Sequence, residues 1–229
     1  MASEFAPELY LDLARTEWPE LFSGLDQAWE VLPRLGAFFG ESFTPAHLGI
    51  SVGHPTLGER VYIGHGTIIE PGAYIKGPAW IGDNCQIRHG AYIRENVIIG
   101  AGSVIGNSCE IKNSLLFAGC QVPHFNYVGD SILGHKVHLA AGVIVSNLKL
   151  QADVISVRWK GKTISTGLRK FGALLGDGAE VGCNTVLNPG SIIGRGSLIY
   201  PSLSWRGVLP EAHVAKTAEH ILPIHARIK

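Results

Sequence analysis

Nowhere in the 229 residues does an apolar run approach the ~18 residues that a membrane-spanning helix needs, so no membrane span is expected. No charge of one sign dominates, because 19 Lys and Arg are matched by 19 Asp and Glu. That removes the electrostatic argument for nucleic acid or an anionic membrane surface as a partner. Cysteine is limited to Cys85, Cys109, Cys120 and Cys183, none of them in a CxxC pair, and a reducing cytoplasm is the default compartment. The N-terminal MASEFAPELYLDLARTEW is acidic and has no basic stretch followed by an apolar one, so no signal peptide is expected.

What is present is a period of six. Isoleucine recurs as Ile63, Ile69, Ile75, Ile81, Ile87, Ile93, Ile99, Ile105 and Ile111, with Leu57 before the series and Phe117 after it. Small residues stand two positions earlier (Ala73, Ala79, Cys85, Ala91, Ser103), and Gly often follows. Six matches neither the helical period nor plain strand alternation. It predicts a parallel β-helix, in which short strands joined by tight turns stack as coils and direct one large and one small residue inward. Cys85 and Cys109 take the small inward position, where core filling is expected of them rather than redox or metal chemistry. With 46% hydrophobic residues the chain reads as one soluble domain with a substantial core.

Residues 1–50 carry no hexads. Leu21, Leu25, Ala28, Trp29 and Leu32 form a helical stripe, Pro33 breaks it, and a second short helix carries Leu35, Phe38 and Phe39. This predicts a helical N-terminal cap over one open end of the solenoid, where strand edges need cover. Hexads occupy 51–205, unbroken to Pro123, and resume after a slip at Leu133, Leu139 and Val145. They return beyond an insertion at 148–172 as Leu175, Val181, Leu187, Ile193 and Ile199, and 206–229 reads as a tail. Within the insertion, VISVRWKGKTIST alternates around Gly161 as a projecting β-hairpin.

If three hexads make a coil, residues 18 apart stack, which aligns Lys76, Arg94 and Lys112 in one outward column. Stacked like charges repel. The compensation is either solvent with neighbours such as Glu95 and Glu110, or a phosphate-bearing ligand. His124, in PHFNYVGDSILG at the slip, is a candidate base, and the same spacing sets it above Gly106 and Arg88. His65, His89, His135 and His138 raise the question of zinc, but 65 to 89 is 24 residues and 89 to 124 is 35, so no metal site is expected.

Three segments, ENVIIGAGSVIGNSCEIKNS, HFNYVGDSILGHKVHLAAGVIVSNLKL and RKFGALLGDGAEVG, resemble a known family. It is the left-handed β-helix acetyltransferase domain of the bifunctional sugar-1-phosphate nucleotidylyltransferases. The resemblance covers about residues 55–205 and implies an all-β solenoid, a left-handed parallel β-helix, assembled as a homotrimer with sites between prisms. It implies His124 as general base with acidic Glu110 beside it. It implies Arg94, Lys112, Tyr127, His138, Asn147 and Lys170 as substrate residues, and Ala141 and Cys183 along the coenzyme A groove. His138 departs from the family's Asn, at a sugar-contacting position. Nothing before Ser51 resembles the Gly-rich nucleotide loop, so nucleotidyl transfer is not expected.

The expected reaction is direct acetyl transfer from acetyl-CoA to the amine of an amino sugar carrying a phosphate or nucleotide, a precursor of the cell envelope. An ammonium cannot attack a thioester, and an imidazole, with an ordinary pKa of about 6.5, suits removal of its proton. Two alternatives stand beside it. One is a non-catalytic sugar-nucleotide-binding or assembly module. The other is a metal-dependent hydratase like γ-carbonic anhydrase, which would need three clustered histidines.

Overall fold

The computed structural model describes residues 3–151 and 153–224. Two- to four-residue strands succeed one another around a three-sided prism and pair in parallel with strands one coil away. The first sheet has nine strands and the third has eight; the second has ten, of which the last, Ile221–Pro223, runs antiparallel. The hexad isoleucines fill the interior: Ile63, Ile81 and Ile99 sit directly over one another in the first sheet, all fully buried. Each such side chain contributes roughly 1.5–3 kcal/mol by leaving water. Burial pushes the Cys85 thiol up to about 11 and raises Cys109 and Cys120 as well, so these thiols stay protonated as core filling.

Three boundaries differ from the sequence reading. Coiling begins with Ala46–His47 and Ile50–Ser51, inside the expected cap. It continues through Val208–Leu209 and His213–Ala215, inside the expected tail. The slip also comes earlier than Pro123. Ile99 pairs with Leu116, so Leu116 points inward and Phe117 turns outward. The links from Ile111 to Leu116 and from Val128 to Leu133 are one residue short of a hexad. At these tightened corners Asn113 and Asp130 adopt φ 44° and 47°.

The N-terminal segment is not an end cap. Short 3-10 turns at Pro19–Phe22 and Ala28–Val31 and one α-helix, Arg34–Phe38, lie along the outer face of the first sheet. That face is apolar in every coil: Trp80, Ile98, Leu115, Ile132, Leu174 and Ile192 all contribute. Trp18 meets Trp80 edge-on, Phe22 meets Phe117, and Trp29 packs on Phe171. Asp177 fastens the far end by accepting from the Asp12 N–H and the His135 N–H, each at 2.7 Å. The hairpin, Ser156–Trp159 with Lys162–Ser165, leaves the coil path as expected. Its apolar side does not await a neighbouring prism, because Ile155 and Val157 are fully buried in the same flank cluster.

Candidate active site

His124 closes the strand Gln121–His124 and pairs with Asn107, not with Gly106, because this coil is 17 residues long rather than 18. Glycine at 106 is required here: a methyl group there would meet the Pro123 carbonyl oxygen at 1.5 Å. Beyond the strand, Phe125 turns the corner at φ 52° and is 60% exposed. Asn126 is buried and locks the turn, its Oδ1 accepting from the His124 N–H at 3.0 Å and its Nδ2 donating to the Ala140 carbonyl at 2.7 Å. The imidazole itself is exposed and makes no hydrogen bond among the described residues.

The next coils stack over it. The Gly142 N–H donates to the His124 carbonyl, the Asn184 N–H to Ala141, and the Ser202 N–H to Cys183. His124, Ala141 and Cys183 therefore occupy one corner, between the second and third sheets, over a rise of about 10 Å. His138 is exposed on the second sheet, between Gln121 and Glu180.

The third sheet carries the charged residues. Its register puts Lys76, Arg94 and Lys112 in one column, as the spacing predicted. The column is not left cationic. Lys76 pairs with Glu95 at 3.2 Å, Arg94 with Glu110 at 2.9 Å and with Glu95 at 3.4 Å, and Lys112 with Asp130 at 3.3 Å. Three cations thus meet three carboxylates, which is the solvent-and-neighbour alternative carried further. The hydrogen bond to Glu110 raises Arg94 above its ordinary value. Burial opposes charge on Glu95, but its own backbone N–H, Lys76 and Arg94 outweigh this and hold it low.

Asp130 is the hub that sequence reasoning passed over. Its carboxylate accepts from Lys112, from Asn113 at 2.7 Å and, closely, from Asn147, while the Tyr127 hydroxyl donates to Asn147 Oδ1 at 3.5 Å. Burial, then Glu110 and Asp130, raise Tyr127, so it stays a neutral donor. The signal was present as the D of HFNYVGD. Behind Asp130 a cavity of about 240 Å³ is bordered by Asn96, Asn113, Pro33, Arg169 and Lys170. Arg169 and Lys170 have no acidic partner among the described residues. No group of three His, Cys, Asp or Glu side chains spaced to hold a metal occurs among the described residues.

Comparison with known proteins bears on the family. A family model for the GMPPB C-terminal domain matches residues 75–167. A bifunctional sugar-1-phosphate nucleotidylyltransferase/acetyltransferase of Sulfurisphaera tokodaii is 40% identical over 90 residues, which is 39% of this chain and 22% of that protein. The chain thus spans under a quarter of that relative's length. The Escherichia coli protein described as "Putative uncharacterized acetyltransferase YaiX" is 36% identical over 155 residues, 68% of this chain and 67% of that one. The chain belongs to the left-handed β-helix acetyltransferases. Among solved structures, a UDP-N-acetylglucosamine acyltransferase from Campylobacter jejuni gives a TM-score of 0.36 at 15% identity, covering 77% of this chain and 72% of that one.

Proposed function

We propose that this acetyltransferase moves an acetyl group from acetyl-CoA to the amine of an amino sugar bearing a phosphate or nucleotide, as a cytoplasmic homotrimer with its sites between prisms. The observation that carries the reading is the corner column: an exposed imidazole with residues for the donor stacked above it, beside a polar third-sheet face. His124 takes the proton of the sugar ammonium, and the freed amine attacks the thioester carbonyl. The Ala141 N–H has no hydrogen-bond partner among the described residues, and it is the donor best suited to the oxyanion. The thiolate of coenzyme A leaves, so no acyl-enzyme is needed. Tyr127, Asn147 and His138 orient the sugar. Arg94 and Lys112 already hold carboxylates, so the phosphate draws also on Lys170 and Arg169.

The test is acetyl-CoA turnover across amino sugars with and without a 1-phosphate or nucleotide. Turnover confined to the phosphorylated set, and reduced about 10²–10⁴-fold in His124→Ala, is expected. Full kcat in His124→Ala with an unchanged pH profile would remove the base.

A further inference from the structure

One inward position is out of keeping with its column. Ala73, Ala91, Cys109 and Val143 hold the small inward place before the third sheet in four coils, and all are buried. Asn126 stands in the same column between Cys109 and Val143 and is 2% exposed. An amide is costly to bury unless its hydrogen bonds are made. Part of what this one does is common to the solenoid. Thr67 and Thr185, also at small inward places, donate to the Gly82 and Tyr200 carbonyls at 2.6 and 3.0 Å. Asn126 Nδ2 makes the same kind of bond to the Ala140 carbonyl at 2.7 Å. The amide differs in its other end, where Oδ1 accepts from the His124 N–H at 3.0 Å. One planar group therefore ties the backbone of the candidate base to the peptide between Ala140 and Ala141.

That bond gives the peptide a direction. In a trans peptide the carbonyl and the following N–H point opposite ways. With the Ala140 carbonyl drawn inward to Asn126, the Ala141 N–H faces out at the corner. It lies one coil from His124, about 4.8 Å, since the Gly142 N–H donates to the His124 carbonyl. A hydrogen bond on the carbonyl also polarises the peptide and makes its N–H a stronger donor.

We propose that Asn126 is a positioning residue for acetyl transfer, one that aims the Ala141 N–H at the developing oxyanion and fixes its separation from His124. Buried as it is, it acts through these two residues and not on the substrates. The role rests on the acetyl-transfer reading, while the hydrogen bonds stand without it. A displaced oxyanion donor weakens binding of the transition state and not of the ground state, so its loss falls on kcat.

Asn126→Val and Asn126→Thr in the full chain test this. Valine already fills the same place one coil on, at Val143, and threonine differs from it only by a hydroxyl that can donate to the Ala140 carbonyl, as Thr67 does to Gly82. Asn126→Val is expected to lower kcat about 10–10²-fold, with KM for acetyl-CoA and for the sugar within about twofold. The limb of the pH profile due to His124 should remain, because the base is still present. Asn126→Thr should recover most of the lost kcat. Thr67→Ala removes a bond of the same kind near the start of the solenoid, and should lower the urea midpoint while leaving kcat unchanged. Full kcat in Asn126→Val, no recovery in Asn126→Thr, or an equal fall of kcat in Thr67→Ala would overturn the role. The ¹⁵N resonance of Ala141 responds to hydrogen bonding at the Ala140 carbonyl, and should move in Asn126→Val and return in Asn126→Thr. If it does so in a protein that transfers no acetyl group, the proposed reaction fails and the placement of the peptide stands. Acetyl transfer with an unmoved resonance would overturn the placement and leave the reaction.

Discussion

At the scale of single residues, the polar network depends on one carboxylate. Asp130 is 4% exposed and the Lys112 side chain 13%, so each would be stranded without the other. Breaking a buried pair by deleting one partner costs about 3–5 kcal/mol. Asp130→Ala is expected to lose stability in that range by urea unfolding, and Asp130→Asn less, because its one remaining oxygen still accepts from Asn113 or from Asn147, though not from both. A loss below about 1 kcal/mol would mean that solvent takes over the carboxylate's part. His135 makes a second residue-scale prediction. Burial first, then Arg15 and Lys136, hold its imidazole below the ordinary value, while Asp177 opposes them in part. A depressed histidine binds fewer protons folded than unfolded, so stability falls as pH drops below about 6.5 and toward the folded value. His135→Gln should flatten that slope between pH 7.5 and 5.5. Equal slopes in both proteins would clear His135 of the effect.

Elements tell which parts of the fold were legible. The inward positions were, because a repeat of six leaves a direct trace: every sixth-position isoleucine from Ile63 to Ile111 is in the core. The slip at Asn113 was not, because Leu116 and Phe117 are both apolar and the corner alone decides which enters. The N-terminal segment was misread because 1–50 has no repeat to extend. The available signal lay elsewhere, in apolar residues at the outward position of successive first-sheet strands, which an exposed face would not carry. Of the candidate site's geometry, the stacking of Lys76, Arg94 and Lys112 was legible, but the network around Asp130 was not, since it comes from side chains spread over three coils. Trp29 is fully buried between that segment and Phe171. Trp29→Ala should cost about 3–5 kcal/mol, measured by chemical denaturation. Trp159→Asp should likewise destabilise the flank without altering association. A change of oligomeric mass in that variant would return the hairpin to an intersubunit role.

For the whole molecule, the division of faces matters most. The chain covers its first sheet with its own N-terminal segment and hairpin, while the second and third sheets keep Ile50, Ile68, Tyr74 and Ile144 exposed. Phe125 stands 60% exposed at the corner those two sheets share, next to His124. Two unlike open faces meeting at one corner suit a heterologous contact that closes into a ring, and the proposed threefold ring would join the second sheet of one copy to the third of the next. The site would then gather His124 and the charged third-sheet face against a neighbour's second sheet. A particle of three times 24.6 kDa is expected by light scattering. Phe125→Asp puts a charge into the contact and leaves the coil interior untouched, so it should give monomers of unchanged circular dichroism. Because no side chain of the His124 column is altered, any loss of acetyl transfer in those monomers would measure what the neighbouring copy supplies. Monomers with full activity would confine the site to one prism, and an intact trimer would move the contact away from this corner.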